Sequence, residues 1–327
     1  MKEGKTMLNS LNKWLQKFMP ILTPLSLVIG VFIADIGNQL LFLVPWIFAI
    51  MTFLSSLSLN FKGLTSFSKY PWVILFTIAF LHILMPLWAY FVSTVIFHDH
   101  LLTIGFVLSV AIPTGVTSFI WVSFSRGHLA LALSIILIDT LIAPIAVPSL
   151  LHLVAGEAVN IDTTSIMIDL LWMIVLPSIL GVVLNELTKG KIVDTLGKPL
   201  APFQKLFLFL IIMINSSAIA PFFENITWEI IGIIFVVFLL ATSGYALCLV
   251  LAHYIWKDFS IVTTFVFTGG MRNIAVGVVI ATTYFPPKVV MPVVFGMLFQ
   301  QVLAAQFSKI LEKYKEKVFP LTIENHS

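Results

Sequence analysis

The sequence predicts an all-α polytopic membrane protein of ten transmembrane helices, arranged as a 5+5 inverted repeat in which helices 4 and 9 are broken and cross. Three observations lead there. Hydrophobic residues make up 59% of the 327 and charged residues only 10%, with a mean hydropathy of +1.06. A soluble domain would be about a quarter charged, so this chain cannot cover itself with polar surface and its solvent is lipid. Basic residues segregate strongly between alternate loops. And two short polar breaks, Pro113-Thr114-Gly115 and Thr268-Gly269-Gly270-Met271-Arg272-Asn273, interrupt the fourth hydrophobic segment of each half.

The elements follow in order. Residues 1–19 lack a continuous apolar core before a small-residue cleavage site, so no cleavable signal peptide is expected. Leu8, Leu11, Leu15 and Phe18 recur at helical spacing with Lys13 and Lys17 between them, the pattern of a helix lying in the membrane interface. Runs long enough to cross about 30 Å of hydrocarbon fall at 20–36, 40–59, 71–96, 101–124 and 128–154, then at 164–186, 199–222, 228–255, 260–284 and 288–310. Pro20, Pro45, Pro71, Pro86, Pro144, Pro148, Pro177 and Pro292 should kink or cap these spans.

Lys and Arg placement sets the orientation. With both termini cytoplasmic, the inner side receives Lys2, Lys5, Lys13, Lys17, Lys62, Lys69, Arg126, Lys189, Lys191, Lys198, Lys205, Lys257, Lys309, Lys313, Lys315 and Lys317. Only Lys288 falls outside, and Arg272 falls within a span. The outer loops carry Asp35, Asp99, Glu157, Asp162, Glu224 and Glu229 instead. An odd number of spans would scramble this segregation. The two halves then enter from opposite sides, joined near residues 155–163, in a cell-membrane protein surrounded by lipid.

Unwound backbone at membrane depth survives only where it is buried in protein or lines a cavity, and a matched pair of breaks points to a carrier's binding site. Arg272 stays protonated in any protein setting and costs about 2.5–3.5 kcal/mol at mid-bilayer, so it needs an anionic or carbonyl partner. Asp139, within Ile135-Ile-Leu-Ile-Asp139 of the fifth span, needs a cation or a proton. An ion pair between them meets both needs; a permanent bridge that only fixes packing is the plain alternative. Asp169 lies nearer a span end, where water is accessible. Glycines 269 and 270 are expected to free the backbone from helical geometry, and the half-helix beyond to point its amides at the site. Asn273, Thr114, Thr117, Ser118 and Thr268 supply polar side chains around the breaks.

Other groups carry less. His98-Asp99-His100 suits a solvated loop better than a metal site, His82 a packed or hydrogen-bonded core position, and His128 and His152 an interface. The single cysteine, Cys248, excludes an internal disulfide and any multi-cysteine metal site. No serine–histidine–acid set, HExxH or phosphate-binding loop is present, so neither an enzyme nor a resident metal or cofactor is expected, and no nucleic-acid partner. The sequon Asn225-Ile-Thr227 faces outward.

At these residues the chain resembles the bile acid:sodium symporter family. Pro113-Thr-Gly-Val-Thr-Ser118, followed by Ser125-Arg-Gly-His-Leu-Ala-Leu131, is similar to that family's proline–glycine break and inner loop. Gly270-Met-Arg-Asn273 is similar to its Glu-x-Gly-Met-Gln-Asn signature, and the Ser-Leu-Ser-Leu-Asn-Phe-Lys stretch ending at Lys62 closes the second span in the same way. The resemblance implies a single transporter unit over 20–327. It has a panel from 20–59 and 164–222, a core from 71–154 and 228–310, and a cytoplasmic tail at 311–327. Substrate would bind at the crossing, against Arg272, Asn273, Thr114, Thr117 and Thr268, with Pro113, Gly115, Gly269 and Gly270 forming its backbone.

The ion sites depart from that family. Ser118 keeps a sodium-ligand position, but Phe119, Ala132 and Ile136 replace oxygen-bearing residues, Thr268 replaces the signature Glu, Arg272 its Gln, and Leu81 a third-span Gln. The expectation is therefore a secondary-active or facilitative carrier of small organic anions in which Arg272 supplies the positive charge that sodium supplies elsewhere. Asp139 and Ser118 then serve charge compensation or coupling, and protons are the alternative driving ion. Three other readings stay open: a sodium symporter with rebuilt sites, a metalloid efflux permease, and a membrane sensor without transport. Arsenite permeases place a cysteine on the fourth span, where this chain has none. Binding without flux would mark the sensor. The pattern leaves the number of subunits open.

Overall fold

The structure is a computed structural model that describes residues 2–59, 68–156, 162–223 and 227–319. Lys62, Glu157, Glu224, the sequon's Asn225 and the end of the tail lie outside the described residues. The described chain is helical; its only β pairing is an isolated bridge discussed below.

The helices in order are α1 (Lys2–Phe32), α2 (Ala34–Leu40), α3 (Val44–Ser56), α4 (Pro71–Ala79), α5 (Met85–Phe97), α6 (His100–Ala111), α7 (Ser118–Phe124), α8 (Leu129–Ala155), α9 (Thr163–Leu170), α10 (Leu176–Leu187), α11 (Lys198–Ser216), α12 (Trp228–Ile255), α13 (Phe259–Gly270), α14 (Ile274–Tyr284) and α15 (Pro287–Val318). Seven continuous runs among the described residues are long and apolar enough to cross a membrane: Ala34–Ser56, Pro71–Phe97, Leu129–Ala155, Thr163–Leu187, Val193–Phe223, Trp228–Ile255 and Pro287–Val318. An eighth is formed if Ser10–Met19 and Ile21–Phe32, bent by 75°, count as one. The regions expected to hold spans four and nine are each split into two short helices, α6 with α7 and α13 with α14.

Local chemistry explains the boundaries. Side chains of Asp99, His128, Asp162, Thr227 and Asp258 each accept a hydrogen bond from a backbone N–H in the first turn that follows, capping α6, α8, α9, α12 and α13. Prolines act in two ways. Pro45 and Pro71 sit in first turns, where a missing N–H costs little, whereas Pro86 and Pro177 lie inside continuous helical runs. Pro86 and Pro177 are each preceded by a π-helical turn, Phe80–Leu84 and Leu171–Val175. A proline cannot bond the carbonyl four residues back and its ring presses on it, and the wider turn relieves that conflict. The first of these turns carries His82.

Two groups of helices emerge from the packing. α1, α3, α10 and α11 lie against one another, whereas α4–α8 pack with α12–α15 around a continuous apolar core that includes Phe80, Phe106, Tyr245, Phe267 and Phe295. The groups meet where α14 and α15 touch α1, α3 and α11. At the molecular end bearing Asp99, Lys288 bonds Asp99 at 2.7 Å and Glu229 at 3.0 Å. The 98–100 segment is thus a loop and cap: His98 is left-handed at the end of α5, and His100 bonds the Ala155 carbonyl at 2.9 Å. Among the described residues no cluster of three metal-ligating side chains occurs.

Candidate functional site at the helix crossing

Both breaks run extended and cross. Ile112, pushed out of helical geometry by Pro113, ends α6, and Met271 leaves the helix after α13. Thr114 and Arg272 form an antiparallel bridge. The Asn273 N–H donates to Pro113 O at 2.8 Å and the Gly115 N–H to Met271 O at 3.3 Å. A Cβ on Gly115 would stand 3.0 Å from the Arg272 carbonyl, so glycine permits the close approach. Glycines 269 and 270 behave differently from expectation. They remain in the last turn of α13, and unwinding starts at Met271. Their missing side chains admit neighbours instead: a Cβ on Gly270 would lie 2.4 Å from the Tyr245 ring.

Arg272 is buried, with 5% of its surface exposed, among protein groups rather than acyl chains. Its Nε donates to Val110 O and its Nη1 to Gly269 O, both at 2.7 Å. These carbonyls lie in the last turns of α6 and α13, the negative ends of two helix dipoles. A single guanidinium thus joins both half-helix termini, with geometry only a planar fork provides. The Arg272 N–H also donates to Gln300 Oε1 at 3.2 Å.

The expected Arg272–Asp139 ion pair does not form. Asp139 is fully buried, yet one oxygen lies 2.6 Å from His82 Nε2 and the other accepts the Thr114 N–H at 2.5 Å. Arg272 is satisfied by carbonyls and Asp139 by an imidazole and an amide. The field of Asp139 still acts on Arg272. Asp169 accepts from the Tyr284 hydroxyl, at a helix end as anticipated.

The polar residues named from the sequence divide in two. Thr117 and Asn273 face a cavity of about 100 Å³ at the crossing, together with Gly115, the Arg272 position, Thr52 and Ser55. Thr114 and Thr268 do not. Thr114 Oγ1 bonds Thr268 O at 2.6 Å and Met271 O at 3.0 Å, and Thr268 Oγ1 bonds Thr264 O at 2.8 Å, both buried. Their hydroxyls stitch backbone and reach no cavity. Ser118 Oγ is buried with no hydrogen-bond partner. Pro113 serves the crossing through its carbonyl.

Several residues at the site were missed from sequence. Gln300 and Gln301 of α15 line the small cavity, and Gln301 accepts from Trp121 Nε1 at 3.2 Å. A polar pair inside an apolar run was the available signal. Tyr245 and Cys248 of α12 pack behind Arg272; nothing in their spacing announced it. From the crossing, Met51, Ser55, Thr117, Leu208 and Gln301 continue into a larger cavity of about 530 Å³, lined by apolar Leu54, Phe119, Trp121 and Phe124 and by Lys198, Gln204 and Lys205. It lies between the two groups of helices, and the Lys205 ammonium bonds Asn12 of α1.

Extended backbone crossing within a helical bundle, flanked by a cavity of apolar and polar side chains, is the construction of a multi-pass membrane transporter. Residues 16–316 match the SBF-like CPA transporter family, and the chain belongs to it. It is 43% identical over 300 residues (91% of this chain, 98% of the other) to the uncharacterized protein YbaS of Bacillus subtilis (strain 168). It is 24% identical over 291 residues (86% and 89%) to the uncharacterized sodium-dependent transporter YocS of the same organism. A probable chloroplastic sodium/metabolite cotransporter, BASS1 of Oryza sativa subsp. japonica, is 27% identical over 201 residues (62% and 48%). The resemblance to bile acid:sodium symporters is thus borne out, and the protein is a transporter of small molecules rather than an enzyme.

Proposed function

We propose that this protein is a carrier of small organic anions that works without sodium, because Arg272 permanently holds the cationic position at the crossing. One observation carries the reading: the guanidinium already bonds the C-terminal carbonyls of both broken helices. Thr268 O, Met271 O, Gly269 O and Val110 O all accept hydrogen bonds from the chain itself. Ala132 and Ile136 offer no side-chain oxygen, and the Thr268 hydroxyl is engaged within its own helix. Few free oxygens remain to coordinate a hard cation, which takes about six or more. A tethered cation cannot be released, so it lends charge without carrying a gradient.

The reading takes the eight helical crossings and the two broken elements as ten spans in a 5+5 inverted arrangement, with both termini cytoplasmic in the cell membrane. The panel is then α1–α3 with α9, α10 and α11, and the core the remainder. The large cavity is lined by Lys198 and Lys205, and the reading takes their end as the cytoplasmic mouth of an inward-facing state. Its lysines and apolar walls suit an amphipathic anion whose charged group reaches Thr117, Asn273 and the first turn of α14. Arg272 acts on that anion through its field.

A second reading, a sodium symporter with rebuilt sites, draws on the unpartnered hydroxyl of Ser118 and on the sodium in the printed names of YocS and BASS1. Uptake of labelled taurocholate and pyruvate by proteoliposomes separates the two. Equal uptake in sodium chloride and in choline chloride supports the first; strong sodium dependence supports the second and removes the first.

A further inference from the structure

The pair formed by His82 and Asp139 does something that charge balance at the crossing does not require. Asp139 is fully buried and His82's side chain is 10% exposed, with Nε2 and Oδ1 2.6 Å apart. His82 sits on the π-turn Phe80–Leu84, which aims its ring at α8. Its other ring nitrogen, Nδ1, is buried without a partner. A buried polar atom left unpaired is uncommon and costly, and Nδ1 keeps a free lone pair. The second carboxylate oxygen takes the N–H of Thr114, itself half of the backbone bridge with Arg272. The pair is therefore wired directly to the crossing.

Other titratable groups on the elements around the pair are otherwise engaged. His100 of α6 bonds the Ala155 carbonyl, Asp169 of α9 accepts from Tyr284, and His128 Nδ1 caps α8. His152 stands near the far end of α8. α4, α7 and the turn Leu171–Val175 carry no ionisable side chain, and Asp258 caps the remote end of α13. Arg272 is the charged group facing the pair from the crossing, with Tyr245 and Cys248 behind it.

We propose that His82 and Asp139 together bind one exchangeable proton, and that this proton is the ion carried with a monovalent organic anion. The inference rests on the carrier reading above. With His82 neutral, Arg272 and Asp139 sum to zero charge. The neutral ring donates its Nε2–H to Asp139 Oδ1, so a proton from water adds to the lone pair on the unpartnered Nδ1 and the resulting imidazolium is held against the carboxylate, leaving the crossing with one net positive charge. The substrate's single negative charge neutralises it. On the other side the anion departs, the proton returns to water, and the zero-charge state is restored. One proton moves with one anion, so the cycle transfers no net charge, unlike symport with an excess of cations.

Two measurements test this on the full chain. The first needs no substrate: infrared difference spectra of the solubilised protein across pH. Imidazole bands and carboxylate stretches should change together between about pH 5 and 8; the carboxylate component should be absent in Asp139→Asn, and the imidazole component in His82→Gln. If no band in that range depends on Asp139, the pair is static and the proposal is overturned. The second uses pyranine-loaded proteoliposomes given taurocholate, whose sulfonate stays ionised and so does not leak as a neutral acid. An inward proton gradient should accelerate uptake and acidify the lumen, while a valinomycin-imposed potential should leave it unchanged. His82→Gln and Asp139→Asn should lose both the acidification and the gradient response. Uptake that follows membrane potential and ignores the gradient overturns the coupling. A titrating pair with no uptake of taurocholate or pyruvate by the wild type overturns the carrier reading, and the coupling role with it, while upholding the proton site.

Discussion

Replacing Arg272 with glutamine removes the tethered charge and places there the side chain that the resemblance to bile acid:sodium symporters implies. Two charge-assisted hydrogen bonds are lost, to Val110 O and Gly269 O, each contributing about 1.5–3 kcal/mol. Against that, burying a guanidinium no longer costs about 2.5–3.5 kcal/mol, and the amide returns one neutral bond of about 1 kcal/mol. The net change is small, between about −1.5 and +2.5 kcal/mol, so the variant should fold. Its carbonyls and Asp139 then lack a cation, and sodium becomes a ligand. At a concentration about tenfold above its Kd, sodium would stabilise the variant by about 1.4 kcal/mol. For 327 residues, at about 2.1 cal/mol/K of unfolding entropy per residue, that is about 2 °C in Tm. The assay is thermal unfolding of detergent-solubilised protein in sodium chloride against potassium chloride at equal ionic strength. Wild type should unfold at the same temperature in both, and Arg272→Gln should gain about 2 °C in sodium. A sodium-specific shift in wild type, or none in the variant, would refute the reasoning.

Three other outcomes are expected. Gly270→Ala drives a methyl into the Tyr245 ring, which is stacked on Phe307 at 4.8 Å, and should lower stability by about 1–3 kcal/mol in the same unfolding assay. Thr117→Trp fills the cavity at the crossing and should abolish anion uptake with little change in Tm, whereas Thr268→Val, which alters no cavity wall, should transport at near wild-type rate. Burial opposes ionisation of Asp99, but hydrogen bonds from Lys288 and the Leu102 N–H and the Lys288 charge hold its pKa below the ordinary 3.8. A depressed carboxylate pKa stabilises the fold above 3.8, and that contribution is lost as pH falls through the folded value. Tm of wild type should therefore fall more steeply than that of Asp99→Asn as pH drops below 3.8.

What was legible in the sequence were features written in one dimension. Hydropathy located the helices, and the polar interruptions at 113–115 and 268–273 the crossing, because unwound backbone in lipid demands a cavity or a partner. Arg272 was legible as a cost that had to be met. How it is met was not. Coulomb's law favours Asp139 as partner, but a helix end offers an equivalent negative charge through its carbonyls, and those carry no residue identity to read. His82 was hidden for a related reason: in a regular helix its direction follows from spacing, and the π-turn before Pro86 rotates it. The distinction between Thr117, which faces the cavity, and Thr114, three residues earlier, depends on local unwinding that periodicity does not describe. Gln300 and Gln301 were visible as letters and passed over as span interior.

The bridge between Thr114 and Arg272 has a mechanical corollary. Since each interruption completes the other's backbone hydrogen bonding, neither can be straightened or displaced by itself without stranding amides in hydrocarbon. The pair behaves as a rivet through the larger group of helices. On the carrier reading proposed above, access from opposite sides would come from slippage along the Met51–Ser55 and Leu208 surface, where side chains meet across open volume and no backbone bond has to break.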